Sequence, residues 1–572
     1  MTESVAIKGR ATAADGLTAG RSAVRAGGWH PVALLGVLAL WLATVGNGPL
    51  WLAVVRQLRE GGGAVVGPVL LWGAALAALN LALLAWTVWP RWRRPAGIVL
   101  LALVALPSHF MLSYGVVIDP SMAANVLHTD AREAGDLIGP TLLAVVVLGV
   151  VLPGWWWWRQ PVRAVAWRRL LVQQLGVGAV ALGVAVALLW VGFSDLAPLM
   201  RNHKALRYMI NPYNTVYAFT RQAIGERSRA AQPLQPIGED VVPAAAAANE
   251  SEAPLVVLGV GETARAANWG LGGYTRQTTP RLAALRERGD LTYFENTTSC
   301  GTNTETSVPC LFSARGRADY DGARHEESLL DVLQRAGLAV VWLDNQSGCK
   351  GVCDRVPHVK TDTLAVPGLC DGGECHDEVL LRELPGQIAQ LDPERRRRGT
   401  VAVLHQMGSH GPAYHKRVPS AFRRYTPVCE SAQLTACERQ AVVNAYDNTI
   451  AYTDHVLAET IAWLAAQPRP AALLYVSDHG ESLGENGLYL HGMPYALAPA
   501  EQTHVPMLMW FNDRMRERLA LDGACLRQRA AQPASHDHWF HTVLGLFDLR
   551  TRVYDPALDV LRGCRAARAG VG

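Results

Sequence analysis

Charge is scarce in this sequence and, over long stretches, missing. Asp, Glu, Lys and Arg make up 18% of the 572 residues, against 50% for the hydrophobic types. Five stretches, 31–51, 67–89, 96–118, 137–158 and 170–193, contain none of the four. Each is long enough to cross ~30 Å of hydrocarbon, which takes ~20 helical residues. Five in series exclude an ordinary soluble protein. They also argue against a transporter, because no acid or base at membrane depth could form an ion path. His109 reads as a packed or interfacial histidine. The first stretch lacks a small-residue cleavage site and another follows soon after, so it is not a signal peptide. With 53 basic and 49 acidic residues the net charge is +4, near neutral for this length, and gives no nucleic-acid signal.

What charge there is lies asymmetrically. Lys8, Arg10, Arg21 and Arg25 precede the first stretch, Arg91, Arg93 and Arg94 follow the second, and Arg159, Arg163, Arg168 and Arg169 follow the fourth. The opposite side has Arg56, Arg59 and Arg132, offset by Glu60, Asp119, Asp130, Glu133 and Asp136. Basic loops stay cytoplasmic, so the N-terminus is inside and five crossings put everything after Phe193 outside. The run Trp155–Trp158 reads as an interfacial anchor.

Cysteine is missing from everything before Cys300, and all ten cysteines fall in the outward segment. Without a repeated CxxC, a structural zinc site is disfavoured, and an even count on the oxidising side is a disulfide pattern. The close spacings pair Cys300 with Cys310, Cys349 with Cys353, Cys370 with Cys375 and Cys429 with Cys437, leaving Cys525 for Cys564.

The reading divides the chain into a cytoplasmic tail (1–30), a five-span bundle (31–193), a membrane-surface helix with a linker (194–253) and an outer α/β domain (254–572). Over 194–222, Leu196, Leu199, Met200, Leu206, Met209 and Ile210 recur at helical spacing among Arg201, His203, Lys204 and Arg207, as expected of a helix lying on the membrane. Residues 226–254 are rich in Ala, Pro and Gln and read as the linker. Beyond it, the runs 255–258, 339–343, 400–404 and 472–476 look like buried parallel strands. A polar cluster follows each: Gly261-Glu262-Thr263, Asp344-Asn345-Gln346-Ser347, His405 to His410, and Ser477-Asp478-His479-Gly480. Ligand sites of open α/β sheets lie beyond the carboxyl ends of the strands, so four clusters converge on one place. Glu262, Asp478 and His479 offer the mixed oxygen and nitrogen ligands that suit zinc. The hydroxyl-rich Cys300–Cys310 loop holds Thr304, a nucleophile only if a metal or base activates it; if the loop opens a helix, its N–H groups would face a phosphate.

Gly261-Glu262-Thr263, the Cys300–Cys310 loop, His405-Gln406-Met407-Gly408-Ser409-His410-Gly411-Pro412 and Ser477-Asp478-His479-Gly480-Glu481 together resemble the phosphoethanolamine transferases that modify lipid A. That family includes the mobile colistin-resistance enzymes, and its catalytic domain is of the alkaline phosphatase/sulfatase superfamily. The resemblance implies an α/β/α periplasmic domain on a five-helix bundle in a bacterial inner membrane. It implies Thr304 as the nucleophile and as a zinc ligand with Glu262, Asp478 and His479. His410 and His491 would hold the substrate phosphate or a second zinc. Thr302, Gln346 and Lys350 would line the donor site; Gln346 stands where the mobile resistance enzymes have Asn. Asn125, Thr129 and Glu133, spaced to share one helix face, match residues that grip the donor's ethanolamine. His405 is expected to support a ligand from behind.

The implied reaction is transfer of phosphoethanolamine from phosphatidylethanolamine to a lipid A phosphate through a modified threonine. It would release diacylglycerol, be carried out by a monomer in the lipid bilayer, and lower susceptibility to cationic peptides such as polymyxins. A related transferase acting on a core sugar or glycan would share the strand-end clusters. A membrane sensor with a degenerate hydrolase domain would be expected to have lost the nucleophile or a ligand, and all four are present.

Overall fold

The computed structural model describes residues 28–565 except 63, 130, 365 and 372–373, and leaves the side chains of 131–133 and 362 undescribed. Five helices are long and apolar enough to cross a membrane: Pro31–Glu60, Val66–Thr87, Arg93–Tyr114, Pro140–Arg159 and Trp167–Val191. The first runs nine residues past the charge-free stretch, because its outer end is amphipathic and keeps Arg56 and Arg59 in the helix Gly48–Glu60. Gly46, Asn47, Gly48 and Pro49 interrupt it with a 3₁₀ turn at Val45–Asn47. Asn47 holds the break together. Its amide donates to the carbonyls of Leu42 and Asn211 at 2.7 Å each, and its carbonyl accepts from the Asn211 backbone N–H at 2.9 Å. Asn47→Ala would leave buried Asn211 groups unpaired, at about 2–3 kcal/mol. We expect a lower thermal midpoint in detergent, read on the full chain.

Pro153 has no N–H to offer the fourth span, which passes through a π-turn at Val147–Val151 just before it; such local adjustments let proline sit inside a span. Its tryptophan run only partly matches an interfacial anchor. Trp155 and Trp158 lie under Arg159 and Arg94, but Trp157 is buried and donates to the Arg93 carbonyl at 2.9 Å.

Where the sequence suggested one helix on the membrane, the chain forms three: Phe193–Asn202, Ala205–Tyr208 and Tyr213–Ala231. Pro212 explains the last break, since it lacks an N–H and disfavours helical geometry in the residue before it. The apolar stripe packs with Leu50, Val54, Trp72 and Leu76 of the first two spans. The linker beyond is tied down as well. Gln235, Val242, Ala244 and Ala247 donate backbone hydrogen bonds to His325, Arg550, Ala336 and Arg397 of the outer domain.

Twelve strands are described: β1 (Leu255–Gly261), β2 (Leu291–Thr298), β3 (Ala339–Asp344), β4 (His358–Lys360), β5 (Cys370–Asp371), β6 (Glu374–Cys375), β7 (Thr400–His405), β8 (Ala471–Ser477), β9 (Ser482–Glu485), β10 (Leu488–Leu490), β11 (His504–Phe511) and β12 (Ala534–Ser535). Eight form one sheet, ordered β12-β2-β11-β8-β1-β7-β3-β4. The four runs read from sequence are its parallel centre, β8-β1-β7-β3, apolar throughout because both faces are covered. Alternate residues of β1 enter separate cores: Val256, Leu258 and Val260 on one face, Leu255 and Val257 on the other. The register pairs Val260 with His405, Asp344 with His405 and Gly261 with Ser477, so all four strands end level. Each anticipated cysteine pair is bonded.

Candidate active site

The level strand ends bring Glu262, His405 and Asp478 together, and a helix delivers Thr304 from the side. Asn303 caps the helix Thr304–Leu311, its side chain accepting from the Thr306 N–H at 3.0 Å, so Thr304 is the first helical residue. The Cys300–Cys310 disulfide ties the approach to this helix back onto it. The Thr304 Oγ1 lies 3.0 and 3.2 Å from the two oxygens of Glu262 and 3.3 Å from His479 Nε2. That places the hydroxyl in the positive end of the helix dipole and beside two buried side chains, Glu262 and His479.

With Asp478, those two make a candidate cation site by their chemistry. Glu262, Asp478 and His479 are all fully buried, and one donor atom from each fits within 4.8 Å of the others. His479 Nδ1 is 2.9 Å from the Gly480 carbonyl, which keeps its proton there and leaves Nε2 as a lone pair facing the carboxylates. Asp478 spends Oδ1 on the N–H groups of Thr263 and His479, while buried Oδ2 has no hydrogen-bond partner. Burial and the neighbouring Asp478 raise the Glu262 pKa. Two buried acids, one with an orphaned oxygen, beside an imidazole lone pair fit a divalent ion.

Around this centre lies a supporting layer. His405 Nδ1 bonds Asp344 Oδ2 at 3.0 Å, and its Nε2 faces Glu262 Oε2 at 4.0 Å. Glu481 holds Tyr414 through one oxygen at 2.6 Å and His491 Nδ1 through the other at 2.7 Å. The His491 ring stands 4.4 Å from that of His479 and 5.7 Å from that of His410. Gly408, at φ +53°, lets its loop lie against β1: a Cβ there would sit 2.7 Å from the Glu262 carbonyl oxygen.

The remaining sequence candidates divide. Thr302 lies in the loop before the helix, its hydroxyl committed to the Met493 carbonyl at 2.7 Å. Asn125 and Thr129 line a cavity of about 270 Å³ together with His491, Gly411 and Pro412. They do not share a helix face, because the helix Pro120–His128 stops before Thr129, whose hydroxyl turns back to the Asn125 carbonyl at 2.7 Å. The Glu133 side chain lies outside the described residues. Gln346 turns its carbonyl onto the Ser347 hydroxyl at 2.6 Å, and Lys350 reaches the same hydroxyl at 3.1 Å.

A family model described as Phosphoethanolamine transferase EptA/EptB matches residues 76–226, and one described as Sulfatase matches residues 254–549. The phosphoethanolamine transferase EptA of Escherichia coli (strain K12) is 40% identical over 512 residues, covering 87% of this chain and 89% of the relative. The chain belongs to the EptA phosphoethanolamine transferase family. The transferase is also similar to phosphatidylethanolamine transferase Mcr-2 of Escherichia coli, 36% identical over 535 residues with 91% and 95% covered. Among solved structures, the integral membrane lipooligosaccharide phosphoethanolamine transferase A of Neisseria meningitidis superposes with a TM-score of 0.88 at 37% identity, covering 94% of this chain and 99% of that one. The transferase is thus a multi-pass inner-membrane protein with its sulfatase-like domain in the periplasm.

Two supports of the transferase's site escaped the sequence reading. Asp377, fully enclosed, accepts from the N–H groups of Met407 and Gly408 at 2.8 and 2.9 Å and so shapes the loop leading to His410. His536 lies between β12 and the helix Asp537–Leu546. Its Nδ1 accepts from the Cys300 N–H at 3.2 Å and its Nε2 donates to the Ser477 carbonyl at 3.0 Å. Burial pushes its pKa down to about 4, so it stays neutral and clamps the Thr304 loop to β8.

Proposed function

We propose that the protein transfers phosphoethanolamine from phosphatidylethanolamine to a phosphate of lipid A, with Thr304 carrying the group between them. The cavity between the bundle and the outer domain carries this reading. Phe110, Tyr114, Val116, Ile118 and Met122 give it apolar walls continuous with the third span, and His491, one ring contact from His479, also lines it. A lipid lying with its tails in the bilayer could present its headgroup there. The reading also agrees with relatives named for phosphatidylethanolamine and for lipooligosaccharide. In this reading residues 31–193 form the bundle, 194–253 the bridge and 254–572 the catalytic domain.

Glu262, Asp478 and His479, with the Thr304 hydroxyl, would hold a zinc ion, and His410 with His491 would bind substrate phosphate or a second one. When bound, the metal lowers the pKa of the hydroxyl and neutralises phosphoryl charge. The chain's own groups do the rest. The Thr304 hydroxyl, 3.0 Å from Glu262, gives up its proton, the threonine oxygen forms its bond to phosphorus as the bond to the diacylglycerol oxygen breaks, and a proton delivered to that oxygen frees diacylglycerol. His410 and His491 steady the transferring oxygens, and Asn125, Thr129 and Glu133 take the ammonium end. A lipid A phosphate oxygen then displaces Thr304, and the product's zwitterion weakens attraction for cationic peptides such as polymyxins.

Mass spectrometry of lipid A from expressing cells tests the acceptor: phosphoethanolamine-bearing lipid A is expected, and unmodified lipid A from well-expressed protein would defeat the assignment. Asn125→Ala should raise the KM for phosphatidylethanolamine about tenfold, the worth of one hydrogen bond to a charged group. An unchanged KM would remove Asn125 from the donor site.

A further inference from the structure

The helix Pro120–His128, in the outward loop between the third and fourth spans, lies against the start of the Thr304 helix and touches the residues on both sides of Thr304. Near its N-terminus, the Ser121 hydroxyl accepts from the Asn303 side-chain amide at 3.3 Å. At its last residue, His128 Nδ1 lies 2.9 Å from Glu305 Oε1. Asn125, which lines the donor cavity, falls between these two contacts. Met122, from the same helix, packs so closely on Gly492, the residue after His491, that no Cβ would fit there. One short helix of the membrane domain thus reaches both Thr304 and His491 through their neighbours.

His128 has a second partner. Its Nε2 faces Glu226 Oε1 of the bridging helix Tyr213–Ala231 at 3.4 Å. A neutral imidazole carries one N–H, so only the imidazolium can donate to both carboxylates. The position suits that charge, because His128 ends its helix, where the dipole is negative. Glu305 depends on it: the side chain is 18% exposed, and its Oε2 is buried with no hydrogen-bond partner among the described residues. Glu226 has in addition the Gln222 amide of its own helix, at 2.9 Å. Arg229 and Tyr320 complete the charged and titratable groups around Glu305. Burial pushes Tyr320 up to about 12, and arginine stays charged throughout. Of these groups a histidine is the one that changes charge between about pH 5 and 8.

We infer that His128 is a positioning residue for donor capture: bridging Glu305 and Glu226, it holds the helix that carries Asn125 in register with Thr304. The inference rests on the donor reading above. His128 itself touches neither the reacting atoms nor the metal ligands. It acts by fixing three elements to one another: the donor helix of the membrane domain, the bridging helix and the Thr304 helix. Charged, it joins all three; neutral, it can donate to only one of its two carboxylates, and the donor helix is held less firmly. Donor capture is therefore strongest in mild acid and weakens as the imidazole loses its proton.

The test follows diacylglycerol release from phosphatidylethanolamine by full-length, metal-loaded enzyme across pH. The groups around Thr304 also respond to pH, so each wild-type value is divided by that of His128→Gln at the same pH. The ratio of kcat/KM is expected to be about fivefold at about pH 5.5, carried by KM, and to fall to about one at about pH 8.5, the worth of a partly exposed ion pair. His128→Arg, charged at every pH, should keep the advantage at both ends. Glu305→Gln should lose the same advantage, and combining it with His128→Gln should cost little more than either change alone. A ratio that does not vary with pH overturns the inference, since a side chain needed only for structure would act equally throughout. So would His128→Arg performing no better than His128→Gln, an effect confined to kcat, or fully additive losses in the double variant. A wild type that releases no diacylglycerol from phosphatidylethanolamine at any pH overturns instead the donor assignment beneath it.

Discussion

Thr304→Ala is expected to abolish transfer, lowering kcat by about 10⁴-fold or more, as removal of a covalent nucleophile does elsewhere. No neighbouring hydroxyl can take its place. The Thr302 hydroxyl is committed to the Met493 carbonyl, and the Ser307 hydroxyl accepts from the Gly301 N–H at 2.9 Å. Among the described residues, only the Thr304 hydroxyl lies within 3.3 Å of both Glu262 and His479. The substitution removes little packing, since the helix start is fixed by Asn303 and by the disulfide. Circular dichroism should therefore stay near wild type while lipid A remains unmodified. Thr304→Ser restores the hydroxyl and should recover part of the activity. If Thr304→Ala still modified lipid A, a direct transfer without a threonine intermediate would have to replace the two-step reaction.

Much of this site was legible because its scaffold has a strong one-dimensional signature. Strands buried on both faces read as short apolar runs, and a level parallel register guarantees that the residue after each run meets the others. Glu262, His405 and Asp478 were found that way. What the sequence did not reveal is carried by groups with no periodicity. Asp377 acts on backbone N–H groups of a loop 30 residues away, and His536 joins the Thr304 loop to β8, which is remote from it in sequence. Thr129 was misplaced for a local reason: spacing alone put it on a helix, but its hydroxyl offers the Asn125 carbonyl an alternative partner and the helix ends there. The bridge shows the same limit. Its apolar stripe had the periodicity of a membrane-lying helix, and nothing in that pattern distinguishes lipid from the flank of neighbouring spans as the surface it covers.

Asp478→Asn should lose the metal and, with it, the stabilisation the metal provides. The native centre packs two carboxylates without enough donors to satisfy them, leaving Asp478 Oδ2 orphaned and raising the Glu262 pKa through burial and the charge of Asp478. A divalent ion is the partner that suits this arrangement. A ligand held 1,000-fold above its Kd stabilises the folded state by about 4 kcal/mol, so chelation of wild type should lower the thermal midpoint by several degrees. In Asp478→Asn one of the repelling charges is gone. The variant should therefore contain little metal by elemental analysis and show no response to chelator, while unfolding at or above the midpoint of stripped wild type. Transfer activity should fall with metal content. The diagnostic result is the pairing of lost metal with retained fold, since a residue buried only for structure would unfold the domain when altered and leave no chelator-sensitive difference. Full metal retention in Asp478→Asn would instead move the ion away from the β8 end and require a different set of ligands around Thr304.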